Sequence, residues 1–167
     1  MSKQKFITIR HFCESDLKSI HELIHYTIDV SYSPVYPPRA VQFFKDLHTE
    51  ANIIERHQKG DIFVMEKDGK VIGTGSIVDD EIFGVFVNPV FQHKGYGKSI
   101  MQEIENKAFI NGIRKVSLSI SLPSSRFYES LGYEIIEYRT IDVGEGQRLD
   151  YWEAKKTLVG TEPSHRA

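Results

Sequence analysis

The sequence predicts an α/β (α+β) domain in which helices flank a mixed, mostly antiparallel central sheet. First, helical periodicity dominates as far as Gly60, and strand patterns dominate after it. Second, turn signals at Asp68-Gly69 and at Asp79-Asp80 join successive strands as hairpins, which makes those strands antiparallel. Third, a strand at 81–87, a helix and a strand at 115–120 follow one another, which is the order of a parallel crossover.

Composition narrows the class of protein. The chain has 167 residues, a net charge of −2 and 40% hydrophobic residues, so one domain can bury a substantial core. The balanced charge argues against a nucleic-acid partner, and no apolar run approaches the roughly 20 residues of a membrane span. The first ten residues have no signal-peptide core, so we expect a cytoplasmic protein that makes no membrane contact. Cys13 is the single cysteine, and we expect it to be a small buried hydrophobe rather than a nucleophile.

The first sixty residues contain one short strand and two predicted helices. The strand lies at 6–9, and the first helix begins at Ser15-Asp16. Three prolines make 29–38 a loop, and its Tyr32 and Tyr36 either line a substrate pocket or pack on the nearest helix. Pro38 then begins a second helix whose pattern continues to about residue 56.

The remaining elements follow from turn residues and alternation. A strand at 62–66 precedes the Asp68-Gly69 turn, and a strand at 71–78 follows it. A later helix ends at Asn111-Gly112, and a short helix opens at Pro123-Ser124. The last element is a hairpin of 133–141 with 148–155 around Gly144–Gly146. We expect one domain over residues 1–157 and a disordered tail over 158–167.

The stretch 81–99 combines an apolar strand, a glycine-rich turn and the start of a helix. Backbone N–H groups at such a turn have no internal partner and carry partial positive charge, so the stretch favours a phosphate ligand. A P-loop would require glycine where Gln92 stands, and a dinucleotide fingerprint would require it where Ile100 stands. Both nucleotide-binding interpretations therefore fail.

Two motifs resemble the GNAT superfamily of N-acetyltransferases. Gln92–Gly97 matches the acetyl-CoA-binding pattern Q-x-x-G-x-G, and Arg126–Tyr133 resembles the segment F-Y-E-x-L-G-[FY]. The resemblance covers roughly residues 62–155 and implies a sheet splayed between its fourth and fifth strands, with acetyl-CoA as the cofactor. It also makes Gly84 the candidate for a bulge in the fourth strand.

The resemblance implies a set of cofactor-binding residues on the fourth strand, the glycine turn and the short helix. They are Val85, Phe86, Val87, Gln92, His93, Lys94, Gly95, Tyr96, Gly97, Lys98, Ser99, Ser124 and Phe127. Family members often carry an asparagine where this chain has Pro123, so Ser124 or Ser125 is the expected substitute.

Amide formation requires a neutral amine, a donor for the thioester oxygen and a proton for the departing thiolate. By the resemblance, Tyr128 donates the proton or a hydrogen bond to the sulfur. The backbone N–H of Val87 or a neighbour serves the oxygen. Either Glu81 or ordered water accepts the amine proton.

The predicted function is transfer of an acetyl group to a primary amine of a small molecule, directly within a ternary complex. The alternatives are a non-catalytic acyl-CoA-binding module, a peptide or protein amine acetyltransferase, and use of a different acyl donor. The tyrosines Tyr32 and Tyr36 are candidate substrate contacts, and Asp142 and Glu145 on the rim favour a cationic amine. Histidines 21 and 25 lack a third ligand, so no metal is expected, and a homodimer is compatible with the family.

Overall fold

A seven-stranded sheet with the order β1-β2-β3-β4-β5-β7-β6 forms the centre of the computed structural model, which describes residues 6–160. The strands are β1 Ile7–His11, β2 Asp61–Lys67, β3 Lys70–Val78, β4 Glu81–Val87, β5 Lys115–Ser121, β6 Glu134–Gly144 and β7 Gln147–Thr157. The helices are α1 Leu17–Ser31, α2 Pro38–Leu47, α3 Glu50–Lys59, α4 Tyr96–Ile110 and α5 Ser125–Ser130. Only β4 and β5 pair in parallel within these residues, which confirms the predicted mixed and mostly antiparallel sheet.

Alternation along the strands divides the apolar residues between two cores. On β2, Phe63 and Met65 face the core beneath α4, whereas Ile62 and Val64 face the core beneath α1 and α2. The sheet is therefore covered on both faces.

The predicted hairpin turns are confirmed by the backbone. Asp68 and Gly69 have φ values of 51° and 80°, and Glu145 and Gly146 have 53° and 73°. Two consecutive left-handed residues form the turn whose twist matches that of paired strands. These turns place β2 against β3 and β6 against β7.

Strands β4 and β5 separate almost as soon as they meet. Their ladder consists of two pairs, Glu81 with Ser117 and Ile82 with Leu118. On its other side β4 carries a bulge, because Gly84 and Val85 together stand opposite the single residue Gly75 of β3. Gly84 has φ +58°, which suits glycine. The splay and the bulge open the centre of the sheet.

The prediction of a single second helix is wrong, because the segment forms two helices, α2 and α3. His48 leaves helical geometry at φ −120°, and Thr49 begins a new helix by accepting a hydrogen bond from Asn52 N–H at 3.1 Å. Helix α1 also runs to Ser31, so the predicted loop at 29–38 shortens to residues 32–37.

Two further expectations need correction. Cys13 is exposed rather than buried, because it precedes a polar 3₁₀ turn where its Sγ lies 3.2 Å from the Asp16 carboxylate. Leu158 is buried and its N–H donates to Arg114 O at 2.8 Å, so a domain boundary after residue 157 falls too early. Residues 161–167 of the expected tail lie outside the described residues.

None of the helices within residues 6–160 combines the length and apolar character required to cross a membrane.

Candidate active site between the splayed strands

The glycine turn after β4 exposes backbone N–H groups at the start of α4. His93 and Gly95 have φ values of 63° and 85°, and Gly95 is the residue that caps the helix. Within the described residues, none of the N–H groups of residues 93–98 donates to another backbone or side-chain group. These unpaired donors lie at the positive end of a fifteen-residue helix, which suits an anion such as a phosphate.

The turn is fixed to both of its neighbours. Gln92 Nε2 donates to Val87 O at 2.9 Å, which ties the turn to the end of β4. A Cβ placed on Gly97 would lie 3.0 Å from the Phe127 ring, so the two sequence motifs contact each other at this glycine. The close approach explains why residue 97 has no side chain.

The end of β4 presents an unpaired amide toward the splay. Asn88 N–H donates to Ile72 O of β3 at 2.8 Å. Along a β-strand, neighbouring residues turn their N–H groups to opposite sides. The N–H of Val87 therefore faces the β5 side, where the ladder has already ended. An oxygen atom bound in the splay can accept from it.

A cavity of about 360 Å³, here called the glycine-turn cavity, lies between the turn, β4 and α5. Most of the residues predicted to hold the cofactor line it: Val85, Phe86, Val87, Gln92, His93, Gly95, Tyr96, Gly97, Lys98, Ser124 and Phe127. Its wall also includes residues that the sequence did not indicate: Thr27, Ser31, Phe91, Pro123, Ser130 and Leu131. Thr27 and Ser31 come from α1, far away in sequence, and no local motif marks them.

Lys94 and Ser99 were predicted to contact the cofactor, but neither lines the glycine-turn cavity. Lys94 Nζ lies 5.8 Å from the centre of the Phe91 ring. Ser99 Oγ donates to Gly95 O at 3.2 Å, as helical serines commonly do. In the described structure Lys94 therefore packs on Phe91, and the Ser99 hydroxyl bonds within the first turn of α4.

A second cavity of about 570 Å³, here called the helix-α3 cavity, lies between α2, α3 and strands β4, β5 and β7. The two cavities share five wall residues, which are Tyr32, Val85, Phe86, Ser124 and Tyr128. A group bound in one cavity can therefore meet a group bound in the other at these residues.

Tyr128 lies at this junction and is almost fully buried, with 8% exposure. Burial raises the pKa of its phenol above the usual range, and the neighbouring Tyr32 adds to the shift, so the group is protonated at neutral pH. The hydroxyl makes no hydrogen bond to another described residue. Every fully buried side-chain oxygen of the described residues has a partner, so the Tyr128 oxygen is not fully buried. Its O–H is therefore open to the cavity.

Tyr32 lines both cavities, whereas Tyr36 lines neither. The Tyr32 hydroxyl accepts from Ser121 Oγ at 3.1 Å, and burial raises its pKa. The Tyr36 hydroxyl donates to Asp150 O at 2.7 Å and accepts from Leu122 N–H at 2.8 Å. Both hydrogen bonds join the loop before α2 to β7 and the end of β5, which favours the packing alternative for Tyr36 over a substrate contact.

Glu81 lies at the first position of β4 and lines the helix-α3 cavity. Partial burial raises the pKa of its carboxyl group above that of an ordinary glutamate, and the charges of Glu153 and Asp80 act in the same direction. A raised pKa brings a carboxylate closer to the range in which it can accept a proton from an amine.

The two carboxylates that suggested a cationic acceptor are engaged elsewhere. Asp142 Oδ1 accepts from Gly144 N–H at 2.8 Å inside the hairpin turn, and Glu145 pairs with Arg39 at 3.4 Å. Neither residue lines the helix-α3 cavity. The basis for the cationic amine is therefore removed.

His21 and His25 stack with their ring centres 4.0 Å apart, and His25 Nε2 hydrogen-bonds His48 O at 2.9 Å. Their roles in the described structure are packing and a link from α1 to the end of α2.

Comparison with known proteins agrees with this architecture. The family model described as "Acetyltransferase (GNAT) family" matches residues 22–133, which is more than half of the chain. The chain therefore belongs to the GNAT acetyltransferase family. Among curated proteins, none matches the sequence.

Solved structures share the fold at low sequence identity. A GCN5-related N-acetyltransferase from Rhodopseudomonas palustris has a TM-score of 0.83 and 17% identity, covering 95% of this chain and 99% of that one. The PaiA N-acetyltransferase of Thermoplasma acidophilum in complex with coenzyme A has a TM-score of 0.75 and 19% identity, covering 92% and 99%. YncA, a putative acetyltransferase from Salmonella typhimurium solved with acetyl-CoA, has a TM-score of 0.70 and 22% identity, covering 96% of each chain. Acetyl-CoA, the cofactor predicted from the motifs, is thus confirmed at the level of the family.

Proposed function

We propose that this protein is an N-acetyltransferase that transfers the acetyl group of acetyl-CoA to a primary amine of a small molecule. The observation that carries the proposal is the junction of two cavities at Tyr128, one of which ends at the open amides of α4. A donor bound at the amides and an acceptor bound beside α3 would meet at a protonated phenol.

The residues present fit coenzyme A. The exposed N–H groups of residues 93–98 suit a pyrophosphate, and Lys98 is the cationic side chain of that wall. The unpaired amide of Val87 suits a carbonyl oxygen in the splay. When bound, acetyl-CoA supplies the activated acetyl thioester.

Three groups of this chain support direct transfer to an amine. Glu81, directly or through water, accepts the proton that the attacking amine loses. The Val87 N–H stabilises the negative charge that develops on the thioester oxygen. Tyr128 gives its proton to the sulfur as the carbon–sulfur bond breaks and the carbon–nitrogen bond forms.

Transfer without an acyl-enzyme is favoured by the position of the cysteine. Cys13 lies beside the 3₁₀ turn before α1 and lines neither cavity. No thiol of the described chain is therefore placed to take the acetyl group first.

The test is release of free thiol from acetyl-CoA in the presence of amino acids, polyamines, aminoglycosides and peptides with free N-termini, with mass detection of the acetylated product. We expect amine-dependent thiol release with at least one small amine. A protein that binds coenzyme A tightly in calorimetry but releases no thiol with any amine would be a binding module. Turnover with peptides alone would instead make it a peptide or protein acetyltransferase.

A further inference from the structure

Arg56 is a half-buried cation in the wall of the helix-α3 cavity. Its Nη2 donates to Leu47 O at 2.9 Å and to His48 Nδ1 at 2.8 Å. Both acceptors lie at the break between α2 and α3, so the break holds the guanidinium in place.

Neither partner neutralises the charge of Arg56. Burial and the nearby Arg56 charge lower the pKa of His48 to about 3, so its imidazole is neutral and acts as an acceptor. No carboxylate of the described residues lies within ion-pair distance of Arg56, and Glu55 instead pairs with Lys59 at 2.6 Å. Burial lowers the pKa of Arg56 to about 10, which leaves it charged at neutral pH.

Arg10 provides a comparison, because its charge is neutralised by carboxylates of the same chain. Arg10 pairs with Asp16 at 2.7 Å and with Glu66, and these carboxylates raise its pKa above the usual range. Arg56 is held by neutral acceptors only, although desolvating an unpaired charge is costly. An anionic partner from outside the chain would complete its coordination.

The free side of the guanidinium faces the site. A Cβ placed on Gly84 would lie 2.8 Å from Arg56 Nη1, so this nitrogen lies directly over the β4 bulge. Nη1 makes no hydrogen bond within the described residues. Every fully buried side-chain nitrogen of these residues has a partner, so Nη1 is not fully buried. Its N–H donors are therefore accessible from the cavity.

We propose that the acceptor is a primary amine that carries a carboxylate, with Arg56 binding that carboxylate over the β4 bulge. The inference rests on the proposed function and specifies the substrate class of the same site. Gly84 and Val87 lie three residues apart on β4, which is roughly 10 Å, and an acetyl group at the Val87 amide together with an amino acid can bridge that distance to Arg56.

The rest of the wall specifies the acceptor further. The charged side chains that line the helix-α3 cavity are Glu55, Arg56, Lys59 and Glu81, two of each sign. A singly charged carboxylate suits this balance better than a doubly charged phosphate. Apolar side chains complete the wall and favour an amino acid with an apolar body: Phe43, Phe44, Leu47, Ile141, Leu149 and Tyr151.

The experiment compares amino acids with two kinds of amine, those that lack only the carboxylate and one that carries a phosphate in its place. Thiol release is measured for L-phenylalanine against phenethylamine, for L-leucine against 3-methylbutylamine, and for β-alanine against O-phosphoethanolamine. We expect the wild type to prefer each carboxylate partner by roughly tenfold or more in kcat/KM. Arg56→Gln should reduce kcat/KM for the amino acids by roughly 10- to 100-fold while changing that for the plain amines less than about threefold.

Two variants separate binding from folding. Lys45→Gln removes a cation on the neighbouring helix α2 that pairs with Asp29 and lines neither cavity, and it should keep the wild-type preference. Arg56→Lys retains the charge and should keep part of the preference, and the KM for acetyl-CoA reports whether each variant is folded.

The outcomes distinguish this inference from the proposed function. Plain amines accepted as well as amino acids, or a stronger preference for O-phosphoethanolamine, would overturn the carboxylate subsite and leave the acetyltransferase intact. Absence of thiol release with every amine would overturn the proposed function. The subsite is then tested by calorimetric binding of N-acetyl-L-phenylalanine in the presence of coenzyme A. Binding that Arg56→Gln abolishes would support it, and no binding to the wild type would overturn it.

Discussion

The two cavities that meet at Tyr128 are built in different ways. The glycine-turn cavity takes its main donors from the backbone of one contiguous segment, residues 93–98. The helix-α3 cavity takes its polar groups from side chains on separate elements, such as Arg56 of α3 and Glu81 of β4. A local motif therefore indicates the first cavity, whereas the second exists only once distant segments have packed.

The largest expected effect lies where the cavities join. Tyr128→Phe removes the O–H but keeps the ring against Phe127 and Tyr133, so the fold should be unchanged. Because the departing thiolate loses its proton donor, we expect kcat to fall on the order of 100-fold with little change in the KM for acetyl-CoA. Steady-state thiol release from pH 6 to 9 measures this. Full kcat across that range would rule out the donor role.

Glu81→Gln tests the chemistry of the helix-α3 cavity. A base must be deprotonated, so wild-type kcat/KM should fall as the pH drops through the raised pKa of Glu81. Glu81→Gln should lose this acid limb and be roughly tenfold slower at neutral pH. The matched variant Glu153→Gln removes a charge that raises this pKa and should move the limb to lower pH. A pH–rate profile that is the same in Glu81→Gln as in the wild type would assign the proton to water instead.

Gly95→Ala tests the backbone of the glycine-turn cavity. Its φ of +85° costs an alanine roughly 1–2 kcal/mol and should displace the turn, so coenzyme A should bind several-fold more weakly. Gly112 at the other end of α4 has φ +87° and, like Gly95, has open space around its Cα. Gly112→Ala should therefore lower the free energy of unfolding equally without changing the affinity. Equal loss of affinity in both variants would attribute the effect to stability.

The smallest effect is expected for Ser99→Ala. Its hydroxyl hydrogen-bonds Gly95 O within the helix and does not line the glycine-turn cavity. We expect the affinity for coenzyme A to change less than roughly twofold. A tenfold loss in calorimetry would restore the role that the sequence motif implied.

The features that sequence predicts here are those encoded locally. The left-handed pairs Asp68-Gly69 and Glu145-Gly146 define hairpins wherever they occur between apolar runs, so the antiparallel pairing could be predicted. The order of strand, helix and strand at 81–121 likewise defined the parallel pair. The family motifs then implied the splay, which the two-pair ladder of β4 and β5 confirms.

The features that could not be predicted from the sequence depend on how distant segments and their side chains are arranged in the folded structure. The apolar pattern passes through His48-Thr49 without interruption, although Thr49 followed by Asn52 is a recognisable helix start. Tyr36 looked like a pocket residue because loop tyrosines are often accessible, yet its hydroxyl is enclosed between β7 and the end of β5. Arg56 carried no local signal, because its unpaired state depends on what α3 packs against.

The two-pair seam between β4 and β5 has a consequence for motion and cooperativity. The strands β1 to β4 and β5 to β7 are joined along the sheet by Glu81-Ser117 and Ile82-Leu118 alone, with helix packing providing the remaining connection. The amides beyond these pairs should exchange with solvent hydrogen faster than those in the interior of β2 or β3. A ligand seated in the splay bridges both halves, so it should slow exchange on either side of the seam and make the halves unfold as one unit.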